Sequence, residues 1–230
     1  LILSSIAAEE RLRGIAIEIY KQYSMIPSVS TTDTAPPNSS LSFDKFGRKI
    51  LIDHWLDPSY VHDILFHDLG RIIGLSERKY FIDQLAKNVS PQRMDISLGL
   101  IEQSAAEMAE SHGAPTAILL PIELYQKVHA NWDPSWRTIR YNPDRFVFAD
   151  TQIRIFWSNM YTPFKIVYLV APSFGIWTTR RPKDERLEVL FNPQSDTSME
   201  VTVQTVFNFQ VRTAEAVRAF EIPNLPEMPS

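Results

Sequence analysis

The sequence predicts an α+β fold, and three observations point to it. Helical periodicity is concentrated before about residue 130 and strand-like alternation after it, a segregation that argues against an alternating parallel-sheet architecture. Residues 199–212 read M-E-V-T-V-Q-T-V-F-N-F-Q-V-R, with Val201, Val203, Phe207, Phe209 and Val211 on one parity and Thr202, Gln204, Asn208, Gln210 and Arg212 on the other. Successive strand side chains point to opposite faces, so this is a half-buried strand of about 14 residues and ~45 Å, where roughly 5–6 residues is usual. Third, the seven glycines include no G-x-G pair and none at P-loop spacing before Lys-Ser/Thr, which excludes the usual dinucleotide and P-loop phosphate cradles.

Composition sets the outer bounds. At 230 residues and 44% apolar, the chain can bury a real core in one large domain or two small ones. A net charge of −4 argues against a dedicated nucleic-acid binder, though a local basic face is compatible with it. The absence of cysteine removes disulfides, thiolate metal sites and cysteine nucleophiles together. No apolar run approaches the ~18–20 residues of a membrane span, and no signal-peptide pattern opens the chain. Asn38-Ser-Ser40 and Asn88-Val-Ser90 match the glycosylation pattern, a short match that is common by chance.

In chain order, residues 4–23 predict a helix, with Ile6, Leu12, Ile15, Ile17 and Ile19 set among charges. Residues 28–42, rich in Ser, Thr and Pro, predict an exposed, extended or mobile loop rather than a packed element. Residues 46–55 read as a strand leaving that loop. Asp57-Pro58 is a good helix start, Asp as N-cap and Pro at the first helical position. That helix runs to about Asn88 on an apolar stripe of Val61, Leu65, Leu69, Ile72, Phe81, Ile82 and Leu85. Gly70 and Gly74 lie one turn apart on it, each costing about 1 kcal/mol in a helix interior. Either a neighbour packs closely against them, or the helix breaks near Gly74 into two.

Ser90-Pro91 restarts a helix through Ile96, Leu100, Ile101, Ala105 and Met108, which Gly113 stops with Pro115 just beyond. A short apolar strand at 116–120 leads to Pro121, which opens a helix through Tyr125 and Val128. Residues 131–144 are loop-like, with Trp132 and Trp136 either closing the loop by packing or sitting in a subunit contact. Strands are expected at about 145–149, 152–157, 165–170, 175–180 and 186–191, ahead of the long one. Residues 213–220 read as a short helix or an extended segment, and 223–230 as a mobile tail.

Chemistry-bearing groups are present without a recognisable constellation. Of His54, His62, His67, His112 and His129, only His62 and His67 share a helix closely. Their spacing of five turns them onto different faces and misses the H-E-x-x-H zinc pattern, so half-exposed helix histidines are expected. Ser111-His112 are adjacent and cannot form a relay, and no G-x-S-x-G elbow occurs. Glu102, Glu107 and Glu110 share one helix, and Asp63 and Asp68 another; solvated faces are the default for both. Arg180, Arg181, Lys183 and Arg186 read as a solvated turn between strands, with a neighbouring subunit's acidic surface or enclosed nucleic-acid phosphates as the sharper alternative. No catalytic, cofactor-binding or metal-ligating residue is assigned.

Four stretches taken in order resemble the major capsid proteins of tailed phages, the HK97-like family. K-F-G-R-K-I-L-I (45–52), after the polar loop, resembles the returning strand of that family's extended E-loop. D-P-S-Y-V-H-D-I-L (57–65), continuing through L-G-R-I-I-G-L-S-E-R-K-Y-F-I, resembles the entry to its long spine helix. D-I-S-L-G-L-I-E-Q-S-A-A-E-M-A-E-S-H-G-A-P-T-A-I-L-L-P (95–121) resembles its helix-then-strand unit. F-K-I-V-Y-L-V-A-P (164–172), I-W-T-T-R-R and the long strand with A-E-A-V-R-A-F-E-I resemble the closing half of the subunit.

The resemblance spans roughly residues 15–222 and implies a division of the chain. Residues 1–27 would be an N-terminal arm and 28–56 the E-loop lying across a neighbour. Residues 57–92 with 173–222 would form the peripheral domain, 93–172 the axial domain and 223–230 a tail. The implied function is a non-enzymatic shell subunit, assembled in the host cytoplasm into the icosahedral or prolate phage head around double-stranded DNA. Its implied partners are copies of itself in pentamers and hexamers, decoration or cement, scaffolding and portal proteins, and packaged DNA through non-specific contact. No cofactor and no membrane are implied. The Leu1 start fits loss of a scaffolding segment by maturation, and equally an omitted start.

Some relatives join subunits through lysine–asparagine isopeptide bonds; Lys45 and Lys49 lie near the E-loop segment, but no acceptor asparagine or supporting acid is matched in sequence. The alternative on the same fold is an encapsulin-type nanocompartment that packages enzyme cargo. Encapsulins tend to carry an N-terminal helix facing the lumen, a role open to residues 4–23. A soluble α+β enzyme with Asp57, His62, His67 and Asp68 around a pocket is the rival from another class, and a decoration or connector protein a further one.

Overall fold

The computed structural model describes residues 2–24, 29–53, 60–93, 98–121, 154–157, 165–181 and 186–222. The helices among them are α1 (Ile2–Ser24), α2 (Tyr60–Asn88) and α3 (Leu98–Ser111). The first five strands are β1 (Thr31–Thr34), β2 (Asp44–Asp53), β3 (Gln92–Arg93), β4 (Ala117–Leu120) and β5 (Arg154–Trp157). The remaining five are β6 (Ile166–Val170), β7 (Gly175–Thr179), β8 (Leu187–Pro193), β9 (Ser198–Val211) and β10 (Val217–Glu221). Two sheets result, one ordered β1-β7-β9-β2 with β8 also paired to β9, the other β3-β10-β6-β4-β5. The chain divides into two compact units, residues 1–26, 32–80 and 177–209 in one, and 27–31, 81–176 and 210–230 in the other.

The long strand organises the first unit. β2 lies antiparallel along it from Asp44 opposite Phe207 to Asp53 opposite Ser198, and β8 pairs its other edge from Leu187 opposite Thr205 to Pro193 opposite Met199. The predicted alternation holds on one face, where Met199, Val201, Val203 and Phe207 are buried. They meet Ile52, Leu187 and Val189 from the sheet, and Phe66, Leu69, Ile73, Leu12, Ala16 and Tyr20 from the helices. On the other face Gln204 is also buried, its amide donating to Glu188 at 2.8 Å.

Helices α1 and α2 run parallel, Arg11 facing Asp63 and Tyr20 facing Glu77 further along. Helix α2 is continuous through both glycines, so close packing, not a break, is the outcome. A Cβ on Gly70 would collide with the Ala16 carbonyl oxygen, and one on Gly74 would lie 2.8 Å from Tyr23 Cβ and 2.9 Å from Ser24 N. The buried line of α2 is His62, Phe66, Leu69, Ile73 and Glu77, whereas Val61 is 67% exposed and Ile72 half-buried. Of the expected apolar stripe, Leu69, Phe81, Ile82 and Leu85 are buried, Leu65 and Ile72 are half-buried, and Val61 faces out.

The predicted loop at 28–42 is also partly structured. Val29 and Ser30 are buried, and the Ser30 hydroxyl donates to the Gly175 carbonyl. β1 then joins β7, and Ala35 N donates to Thr179 O at 2.7 Å. Threonine's β-branching suits a strand once a partner edge is available, and that edge lies some 145 residues away in sequence.

The second unit holds the other sheet. β6 lies between β10 and β4, with Val170 opposite Val217 and opposite Ala117. All four residues of β4 are buried, as a strand covered on both faces requires. Pro91 does not lead directly into a helix: Gln92–Arg93 pairs in parallel with Phe220–Glu221, and the next described helix is α3, Leu98–Ser111. A free strand edge captured these residues before the helical pattern resumed. Gly113 adopts φ +92, the left-handed stop expected of it, and the His112 amide closes the last turn on Met108. Residues 213–220 contain both predicted conformations, a single 3-10 turn at Ala214–Ala216 followed by β10.

Several expectations lie outside the described residues: the Asp57-Pro58 cap, the helix opened by Pro121, the loop with Trp132 and Trp136, the strand at 145–149 and the tail.

Candidate functional site

Among the described residues, the candidate enzyme residues His62, His67 and Asp68 do not converge. His62 is buried on the inner line of α2 and His67 is exposed on the outside, so the pair does face apart, but His62 is not half-exposed as expected. Asp63 bonds Arg11 at 2.9 Å and Asp68 bonds Arg71 at 3.2 Å, both as surface ion pairs. Glu107 and Glu110 are exposed on α3, the solvated face predicted for them. Among the described residues no group of three or more His, Cys, Asp or Glu is placed to hold a metal ion. No described helix is long and apolar enough to cross a membrane.

The basic group at 180–186 is split by the fold. Arg180 is exposed and stacks over the Phe43 ring at 4.8 Å, while Arg181 pairs with Glu188 at 3.0 Å. Lys183 lies outside the described residues. Arg186 is the correction: its side chain is only 1% exposed, so it is not part of a solvated turn. Its Nη1 faces Glu77 Oε1 at 3.4 Å, and its guanidinium lies 5.9 Å from the Trp177 ring. The second carboxylate oxygen of Glu77 accepts from the Tyr20 hydroxyl.

This buried Tyr20–Glu77–Arg186 group is the feature that reading the sequence missed. Burial pushes Glu77 above the ordinary carboxylate range, against the pull of Arg186 and of the Tyr20 hydrogen bond. Burial also pushes the Tyr20 hydroxyl far up, reinforced by the Glu77 charge. With Glu77 fully buried, no substrate reaches it; the group ties α1, α2 and the start of β8 together. One signal was available. Glu77 follows Phe66 and Ile73 at core spacing, and an acid on such a line needs a buried partner.

On the outer face of the sheet, Lys49 Nζ lies 2.7 Å from Glu200, whose other carboxylate oxygen accepts from Asn192 at 3.3 Å. Strand pairing therefore supplies the acid and asparagine beside Lys49 that no sequence match identified. The Lys49 hydrogen bond holds Glu200 below the usual carboxylate range. This geometry is that of a surface salt bridge. Exposed apolar side chains form the remaining candidate contact surfaces. Leu51 (63%) and Leu190 (46%) lie on that outer face, opposite Glu200 and Thr202 of β9, and Ile6, Val61 and Ile64 lie on α1 and α2.

No family model and no curated protein matches the chain. Solved structures do. The crystal structure of a virus-like particle from Pyrococcus furiosus aligns with a TM-score of 0.64 at 11% identity, covering 92% of this chain and 98% of that one. A phage-related protein from Bordetella bronchiseptica RB50 aligns at 0.56 and 11% identity, covering 93% and 97%. The mature capsid of bacteriophage PhiM1 aligns at 0.51 and 12% identity, covering 88% of each chain. At such identities the likeness is one of fold. The chain has the general HK97-like shell fold, the mixed α+β class that its sequence predicts.

Proposed function

We propose that this chain is the subunit of a closed protein shell built from many copies of itself, with a structural and not an enzymatic role. The observation that carries this reading is the alignment with the virus-like particle protein over nearly the whole of both chains. A fold shared end to end leaves little of this chain over for a separate catalytic domain. Under this reading residues 57–92 and 173–222 form the peripheral domain, 93–172 the axial domain gathered around the symmetry axes, and 28–56 the loop that reaches a neighbour. Shell stability then comes from many modest interfaces between identical chains.

Two contents fit such a shell, and one observation separates their support. The sequence pattern suggested a tailed-phage head around double-stranded DNA. Helix α1, however, is folded into the core of its unit through Leu12, Ala16 and Tyr20, which suits the N-terminal helix of an encapsulin-type compartment better than an extended arm. We therefore favour an enzyme-packaging compartment, located in the cell that makes it, over a phage head.

Negative-stain microscopy of the purified chain tests the shell reading. Closed polyhedral particles, or pentamer and hexamer rings, are expected; a chain that stays monomeric when expressed at full gene length overturns it. Nuclease-sensitive DNA inside the particles would identify a phage head, and a co-purifying enzyme a compartment.

A further inference from the structure

Apolar contact is non-directional, and α1 offers it on most sides. Leu12, Ala16 and Tyr20 are buried, and Ile15, Ile17 and Ile19 are half-buried around them. A helix of this kind loses little apolar contact when turned or slid along its neighbour. The glycine notch does not prevent sliding either. Gly70 accepts a backbone carbonyl, that of Ala16, and Gly74 accepts the Tyr23 Cβ and the Ser24 amide. A carbonyl, an amide and a Cβ recur one turn toward the N-terminus of α1, at Leu12, Tyr20 and Ile19. The notch therefore fixes how close the helices come, not which residues meet. The Arg11–Asp63 pair is exposed at both ends and its long side chain follows a shift easily.

The hydrogen bond from Tyr20 to Glu77 is a contact between the helices that is both buried and directional. Sliding α1 by that turn would bring Ala16, which has no polar atom, opposite Glu77. Glu77 would then lose its hydroxyl donor while remaining buried beside Arg186. We propose that Tyr20, Glu77 and Arg186 fix the rotation and axial register of α1 on α2, contributing specificity of packing more than net stability. The lock acts within a single subunit, so it goes beyond the shell reading and does not depend on it.

The chain has no cysteine, so Glu10→Cys with Lys79→Cys makes a clean spin-label pair at two exposed positions. With Arg11 opposite Asp63, the labels stand roughly 25 Å apart along the helix pair, and a slip of one turn moves them by ~5 Å. Pulsed dipolar spectroscopy is expected to give one narrow distance in the parent. A second population displaced by ~5 Å is expected in Tyr20→Phe and in the apolar triple variant Tyr20→Phe/Glu77→Leu/Arg186→Met. The triple variant should melt at or above the parent temperature. A single unshifted distance in both variants would overturn the lock. A triple-variant midpoint well below the parent would overturn its role in specificity over stability. Tyr20→Phe removes only a hydroxyl, so it keeps the distance test available even if the triple variant does not fold.

Discussion

The two units solve burial in different ways. In the second, β4 reads A-I-L-L and β6 reads I-V-Y-L-V, and their side chains enter the core as apolar runs. In the first, the core of Phe66, Ile73, Val201 and Val203 adjoins a carboxylate, a guanidinium and a phenol that exclude water as completely as the aliphatic residues do. An apolar core holds together through area and tolerates rearrangement. A core bordered by a polar group holds one arrangement and penalises others, because each polar atom displaced from its partner loses more than it gains.

The sharpest way to break this contrast is to remove one charge. Arg186→Ala leaves Glu77 buried with Tyr20 alone and is expected to cost about 3–5 kcal/mol in chemical denaturation. Ile118→Ala in the second unit falls in the ordinary cavity range of about 2–5 kcal/mol, without charge. Gly74→Ala forces a methyl to within 2.8 Å of Tyr23 and should cost about 1–3 kcal/mol, read in the same assay.

Tyrosines sharpen the comparison further. Tyr20→Phe should cost about 1–2 kcal/mol, since it leaves a Glu77 oxygen without its donor. Tyr168, buried in the second unit, has no hydroxyl partner among the described residues, so Tyr168→Phe should leave stability unchanged or slightly higher.

Alkaline titration reads the same difference. Tyr20 is raised, and burial, with help from Asp44, pushes Tyr80 up to about 12. The folded state then holds protons that the unfolded chain releases above the usual tyrosine value of 10.0. Their contribution is complete below that value and declines as pH rises from there through about 12. Denaturation midpoints from pH 9 to about 12 should fall, less steeply in Tyr20→Phe. Glu77 has the same sign at lower pH: its contribution is whole below 4.5 and lost as pH rises through its elevated folded value. The smallest effect is a gain. A Cβ on Gly14 of α1 meets nothing within 4 Å, so Gly14→Ala should stabilise by up to about 1 kcal/mol.

What the sequence determined by itself is whatever a local period encodes. The alternation of β9 announced a half-buried strand, the apolar run at 116–120 and the segment 165–170 announced strands, and Gly113 marked the end of α3. Even the compensation for Gly70 and Gly74 was legible as a need for a close neighbour. Tertiary structure alone decided which neighbour. It also decided that Thr31–Thr34 would find an edge on β7, that Gln92–Arg93 would join β10 before α3 began, and that Arg186 would go inward while Arg180 and Arg181 stayed out. Glu77 carries no local sign of its partners, because Tyr20 lies 57 residues before it and Arg186 comes from the distant segment that directly precedes β8. Periodicity reports what a segment offers to its surroundings; the partner that accepts the offer is fixed only when distant segments compete for the same buried space.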